Sequence, residues 1–379
     1  MVKNSVTSDP KTHDNVRKAV LKSENPLWDG TISDWIPNPE ENIIFDNGIL
    51  KLAIRIPVPE RNAVFVKELR AMLNTALSEF EGIRDVQVTC ESDITSSAKV
   101  LRGKNIEKVK NIIAVASNKG GVGKSTVTVN LAAALKHIGA QVAILDLDVY
   151  GPSLPVMFDL QPSVPESANR IVPIEKYGIQ LMSMGMLIPD EQTPLVFRAP
   201  VADKIVTQFF ENVLWREVDY LLVDLPPGTG DIQLSLAQQL PHARMIMVTV
   251  STEASISDVQ KGIRMFTQEG LNLDILGIVE NMAYFVCDQC NKKSYIFDQR
   301  GAKVIADGFG LEILGNIPLV TDLRVSGDEG IPIVIKNPNH AVSKSFIDMA
   351  ELVSARIAQR NHEQAKKKEK VVINLDMAT

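Results

Sequence analysis

Cysteine is scarce in this sequence, with three in 379 residues: Cys90, Cys287 and Cys290. Three thiols exclude a disulfide framework. A close pair in so thiol-poor a chain points to a metal or redox site in a reducing, intracellular compartment, here read as cytoplasmic. Long apolar runs are missing as well. None approaches the roughly 20 residues that cross a bilayer, so no membrane partner is expected. Basic excess is also lacking: 40 Lys and Arg against 46 Asp and Glu leave a net charge of −6, without the basic footprint of a nucleic-acid binder. Residues 1–14 have neither the apolar core of a secretory signal nor the arginines of a transit peptide.

The chain is 45% hydrophobic and 23% charged, which is ordinary for a globular protein with a full core. Its most informative stretch is Ser117-Asn118-Lys119-Gly120-Gly121-Val122-Gly123-Lys124-Ser125-Thr126. An apolar run, residues 112–116, precedes it, and a helical pattern, residues 127–135, follows. Strand, glycine loop and helix together make a phosphate site. Glycines let backbone N–H groups turn inward with no Cβ in the way, and the helix start adds partial positive charge. Lys124 is expected on the β- and γ-phosphates, and Ser125 on Mg²⁺. A plain glycine turn between a core strand and its helix is the alternative, and Gly-Lys-Ser at the helix start disfavours it.

Residues 11–91 read as a small α+β unit. Helical spacing covers 15–22, an alternating strand covers 49–56, and an amphipathic helix spans 62–80 with Val66, Leu69, Leu73 and Leu77 on one face. A second alternating strand ends at Cys90, where a buried structural thiol is expected. Residues 92–108 read as a linker. Residues 109–360 alternate between strand and helix: apolar strands at 142–146, 220–224, 245–250 and 275–279, with helical patterns at 202–215, 231–240 and 255–270. Such continuous apolar runs suit strands buried on both faces. The expected fold is α/β: a doubly wound, mostly parallel sheet preceded by the small α+β domain. Residues 361–379 read as a polar tail whose helix frays into solvent.

Two strands close on aspartate. One leads into Asp146-Leu147-Asp148, the other into Asp224-Leu225-Pro226-Pro227-Gly228. An apolar strand ending in Asp can orient Mg²⁺ directly or through water. A lone strand-end Asp is usually a turn or cap, but two after a phosphate loop shift that balance. Gly228 is a candidate γ-phosphate contact through its N–H, since no side chain blocks approach.

The paired lysines, Lys119 and Lys124, make this loop resemble the deviant Walker A of the ParA/MinD class of P-loop ATPases. The resemblance implies an ATP-sandwich homodimer in which Lys119 reaches the partner's nucleotide and stabilises charge during phosphoryl transfer. It implies that Asp148 positions or activates the attacking water, that Asp146 lies nearer the metal, and that Asp224 is the Walker-B carboxylate. Asn118 stands where the pattern has its first glycine. Asn accepts a left-handed backbone better than most residues, so the loop is expected to survive.

Cys287 and Cys290 are three apart, a spacing at which both thiolates can hold one metal centre. One pair is half a tetrahedral site, and a symmetric dimer with facing pairs supplies four thiolates. Zinc, a cluster and disulfide exchange all suit this spacing.

The segments 146–153, 224–231, 280–290 and 317–319, in order, closely resemble the Mrp/ApbC family of iron–sulfur cluster carrier ATPases over about 105–355. The resemblance implies a [4Fe-4S] cluster shared by Cys287 and Cys290 of two subunits, ATP binding and slow hydrolysis, and transfer from cluster donors to apo-proteins. It also implies that Asn281 contacts the adenine ring; a strand-end turn Asn is the plain alternative. Asp288 and Asn291 depart from the Pro and Gly common around the pair. The small domain resembles a MIP18-type domain in its layout and lacks that domain's loop cysteine between 56 and 62, which leaves a docking or structural role. A membrane- or nucleoid-positioning ATPase and a zinc or redox-sensing dimer are the competing readings.

Overall fold

The computed structural model describes residues 4–5, 10–97, 106–148, 151–161, 166–167, 170–187, 199–228, 230, 233–234, 238–239, 242–269, 271–287, 289–290 and 292–376. Most of the helix expected at 231–240, the middle of the expected linker, and Asp288 and Asn291 lie outside these residues. The chain divides into two compact units, Met1–Thr95 with Ser354–Thr379, and Ser96–Val353.

The first unit contains α1 (Pro10–Leu21), β1 (Ile43–Asp46), β2 (Ile49–Ile56), α2 (Ala63–Leu77) and β3 (Asp85–Ser92). β1 and β2 form a hairpin whose turn takes Asn47 and Gly48 through positive φ, 48° and 80°, the geometry a two-residue hairpin turn requires. β3 joins β2 in parallel. Alternation along β2 buries Leu50, Leu52, Ile54 and Ile56. Asn62 starts α2 by accepting a hydrogen bond from the Phe65 amide at 3.0 Å, which satisfies an otherwise orphaned N–H. The buried stripe of α2 is Phe65, Leu69, Leu73 and Leu77; Phe65 takes the place foreseen for Val66, which is only partly buried.

The C-terminal end of this unit differs from the boundary expected at 360. The last helix runs over Ala341–Asp376, and from Ser354 onward it belongs to the first unit. Ala358 joins that unit's apolar core. The Gln359 side-chain amide donates to the Leu27 carbonyl at 2.6 Å, and the Trp28 and His362 rings stack with centroids 4.1 Å apart. A few small or aromatic contacts anchor this stretch, so its polar composition concealed the packing.

The second unit contains β4 (Val109–Ala116), α3 (Lys124–His137), β5 (Val142–Asp146), β6 (Ile174–Lys176), β7 (Ile179–Ser183), α4 (Ala199–Asn212), β8 (Val218–Asp224), β9 (Arg244–Thr249), α5 (Glu253–Thr267), β10 (Asp274–Glu280), β11 (Phe285–Val286), β12 (Lys293–Ser294), α6 (Gly301–Phe309) and β13 (Ile313–Asn316). Eight strands form one sheet in the order β6-β7-β5-β8-β4-β9-β10-β13. All neighbours run parallel except β6 with β7. This is the α/β fold with a mostly parallel sheet that the apolar strand runs imply. β5, β7, β8 and β9 are buried along almost their whole length, as strands covered on both faces must be.

Strand order positions the site. β8 inserts between β5 and β4, which brings two sequence-distant strand ends beside the glycine loop that follows β4. Register does the rest: Asp224 pairs with Asp146 on one side and with Val115 on the other. Ligands in open α/β sheets bind outside these carboxyl ends.

Candidate functional site

The glycine loop bends where its glycines allow it. Gly121 and Gly123 have φ of 79° and 82°, values that L side chains resist. Gly123 is the cap from which α3 starts. Asn118 is not among the described residues with positive φ, so the tolerance expected of it there is not called upon. Its side chain instead lies where a Cβ on Gly262 of α5 would be, and its Oδ1 is buried without a hydrogen-bond partner.

A cleft of about 280 Å³ lies against this loop, lined by Lys119 through Thr126 and by Asp148, Gly151, Ser153, Met157 and Pro227 among others. The two lysines are placed very differently. Lys124 is 6% exposed, and its Nζ sits 2.7 Å from Asp224 Oδ2 and 3.6 Å from Asp148 Oδ2. Lys119 is exposed at the rim of the cleft.

Asp224 is the centre of the arrangement. Its Oδ2 accepts from Ser125 Oγ at 2.6 Å, and its Oδ1 accepts from Thr128 Oγ1 at 2.7 Å. Thr128 was not foreseen. Its signal is position: one turn after Lys124, it presents its hydroxyl on the same helix face. The Ser125 hydroxyl and the Asp224 carboxylate converge as oxygen donors of the kind a hard divalent cation prefers, so these residues fit Mg²⁺.

Asp146 lies one layer behind. Neither it nor Asp224 lines the cleft; Asp224 bonds to the side chains of α3, whereas Asp146, fully buried, bonds elsewhere. Its Oδ1 accepts the Asp148 amide at 3.0 Å, and its Oδ2 accepts from the Leu154 amide at 3.3 Å and from Ser183 Oγ at 2.9 Å. Burial and then the nearby Asp224 charge push its pKa up to about 7, against the pull of the Asp148 N–H. Its geometry is that of a bracket for the loop carrying Asp148. Asp148 does face the cleft, and its Oδ1 accepts the Gly151 amide at 3.3 Å. Gly228 has φ of 103°, but its amide donates to the Ser117 carbonyl at 3.0 Å. In this arrangement it ties the β8 end to the phosphate loop rather than offering its N–H to the cleft.

Beyond β10 the chain makes a junction. Glu280 accepts from the Ser251 hydroxyl and from the Ala302 amide, while Ser251 Oγ accepts the Gly301 amide at 3.1 Å. The first turn of α6 is thereby tied to β9 and β10. Burial pushes the Glu280 pKa up to about 7. Asn281 is 3% exposed and donates through Nδ2 to the Val122 carbonyl at 2.8 Å. Neither the Glu280 network nor this contact was foreseen.

The cysteine pair sits on the hairpin of β11 and β12. The Cys287 amide donates to the Lys292 carbonyl at 3.1 Å, which closes the turn. Cys287 is half-buried and Cys290 exposed. Exposed apolar side chains near the hairpin are Tyr295, Ile296 and Leu319, at 46%, 57% and 36%, and they are accompanied by exposed Gln289, Lys292 and Lys293. Leu319 is held to the hairpin base by its N–H, which donates to the Tyr284 carbonyl at 2.8 Å. Cys90, in the other unit, is packed against that unit's core; burial pushes its thiol pKa up, which disfavours the reactive thiolate. Among the described residues, no helix is long and apolar enough to cross a membrane.

Comparison with known proteins places these features in a lineage. The model of a family described as ParA, NUBPL iron-transfer P-loop NTPase, matches residues 108–354. An iron–sulfur cluster carrier protein of Aquifex aeolicus is 43% identical over 253 residues, covering 66% of this chain and 69% of its own. One from Helicobacter pylori is 36% identical over 341 residues, 89% of each chain. A solved nucleotide-binding protein of Archaeoglobus fulgidus, in complex with ADP, is 37% identical with a TM-score of 0.53, over 59% of this chain and 88% of that one.

Proposed function

Since this chain belongs to the ParA family of NUBPL-type iron-transfer P-loop NTPases, we propose that it binds and hydrolyses ATP and carries a [4Fe-4S] cluster between donors and apo-proteins. The observation that carries the reading is the cysteine hairpin. Two thiols at metal-ligand spacing stand on a short turn that follows the same strand end that contacts the phosphate loop. Cys290 is exposed and Cys287 half-buried, as ligands for a cargo that must arrive and leave.

One hairpin offers two thiolates, and a cluster asks for four. We therefore assign the exposed Tyr295, Ile296 and Leu319 to contact with a second copy of the chain, whose own pair completes the site. The exposed Lys119 suits the same two-fold pairing, reaching the partner's nucleotide where its charge offsets that developing on the phosphates.

Within one chain, the loop amides and Lys124 bind and orient the phosphates. Ser125 and Asp224 hold Mg²⁺, which when bound neutralises phosphate charge. Thr128 fixes the Asp224 carboxylate. Asp148 takes the water-positioning role, and Asp146 is assigned to holding its loop rather than to the metal. The first unit, MIP18-like in its layout, is assigned to docking. Three cysteines, none of them in a disulfide among the described residues, suit a reducing compartment.

Anaerobic reconstitution with iron and sulfide tests the reading. Wild type should take up about four iron and four sulfide per dimer with a visible absorption band, and Cys287→Ala and Cys290→Ala should take up neither. Equal loading of all three proteins would sink the cluster assignment. Tight zinc in place of iron and sulfide would replace it with a zinc-stabilised dimer.

A further inference from the structure

The side chain of Asn281 reaches the phosphate loop from behind. Its Nδ2 donates to the Val122 carbonyl at 2.8 Å, and its own amide is fixed to the end of β9 by a 2.8 Å bond to the Thr249 carbonyl. The residue is almost wholly buried, so the carboxamide has no solvent freedom. A Cβ on Gly123 would overlap this Nδ2, so the close approach depends on a glycine there. Asn281 is outside the cleft lining, whereas Val122 and Gly123 both belong to it.

This contact fixes how the Val122–Gly123 peptide is turned. The described peptide bonds are all trans, and in a trans peptide the C=O and the following N–H point in opposite directions. A Val122 carbonyl drawn back toward Asn281 therefore turns the Gly123 N–H forward, toward the phosphate side of the loop. We propose that Asn281 is a positioning residue for phosphate binding: its amide clamps the Val122–Gly123 peptide plane so that the Gly123 N–H is presented to the nucleotide. The proposal rests on the nucleotide reading above. It differs from base recognition, the role that the resemblance implies for this position, because it acts on every phosphate ligand alike.

Calorimetric dissociation constants with Mg²⁺ for ATP, GTP and inorganic tripolyphosphate decide between them, measured on wild type, Asn281→Ala and Asn281→Asp. The clamp predicts that Asn281→Ala weakens all three ligands by a similar factor, about tenfold for one lost orienting hydrogen bond, and leaves the ATP-to-GTP ratio unchanged. Asn281→Asp, nearly the same size, sets a carboxylate against the carbonyl and should weaken binding further. It also serves as the test if the alanine variant fails to fold. Unchanged tripolyphosphate binding with a loss confined to ATP would overturn the clamp, as would wild-type affinities in both variants. A wild type that binds none of the three ligands would overturn the nucleotide reading itself, and the clamp with it.

Discussion

Lys124 and Asp224 form an ion pair at 2.7 Å with both side chains more than nine-tenths buried. Each is the other's main compensation for leaving water, and the carboxylate is further held by Ser125 and Thr128. Breaking such a pair from one side leaves an uncompensated buried charge, at about 3–5 kcal/mol. The pair also fixes the orientation of the carboxylate assigned above to Mg²⁺.

Lys124→Ala should therefore fail twice. ATP affinity should fall by about a hundredfold or more as the phosphate contact goes. Unfolding free energy should fall by about 3 kcal/mol because Asp224 loses its partner. Calorimetry and urea denaturation read the two effects separately, and ATP binding within threefold of wild type contradicts the assigned role.

The role assigned to Asp148 predicts a split between binding and turnover. Its carboxylate lines the cleft but stands 3.6 Å from Lys124 Nζ, farther than Asp224. Asp148→Asn should keep ATP affinity within a few-fold and lower kcat by about 100-fold or more, as for a lost general base or water-orienting group. Steady-state phosphate release beside a nucleotide-binding titration checks this, and normal turnover removes the assignment.

The Asn118–Gly262 contact predicts a compensating pair. Gly262→Ala places a methyl group where the Asn118 carboxamide lies, and such overpacking costs about 1 kcal/mol or more. Asn118→Gly should make the same alanine tolerable. The double-mutant cycle is expected to show coupling of about 1 kcal/mol. Additive losses would show that the two side chains do not meet.

Glu280 predicts a pH slope. Its pKa rises from 4.5 to about 7 on folding because burial disfavours the carboxylate. Between those values the folded state holds more protons than the unfolded one, so its contribution to stability falls as pH rises through that window. Asp146 acts in the same direction, from 3.8 to about 7. Glu280→Gln should flatten part of the decline in denaturation midpoint between pH 5 and 7. An unchanged slope would show that Glu280 is not the group titrating.

Much of the site was readable because its chemistry is local. Lys124 and Ser125 sit side by side at a helix start, and their place in the cleft lining follows from ten consecutive residues. Asp224 was readable from an apolar run closing on an acid. Asp146 has the same local pattern, yet its carboxylate ends up satisfied by Leu154 and Ser183 behind the cleft. Which of two strand-end acids bonds to Lys124 and Ser125 depends on what packs over each, and no window of sequence contains that. Gly228 makes the same point: a glycine free to approach a phosphate is equally free to approach Ser117.

What the sequence by itself determined is the parallel α/β sheet, the phosphate loop and the cysteine pair, since each rests on periodicity or on spacing within a few residues. The tertiary structure alone decided that Thr128 and Ser125 share one carboxylate 96 and 99 residues away, that Asn281 holds a loop carbonyl 159 residues back, and that residues 354–376 complete the first unit. These depend on strand order, register and burial, in which each residue's partner is chosen by the packing of the whole sheet or core.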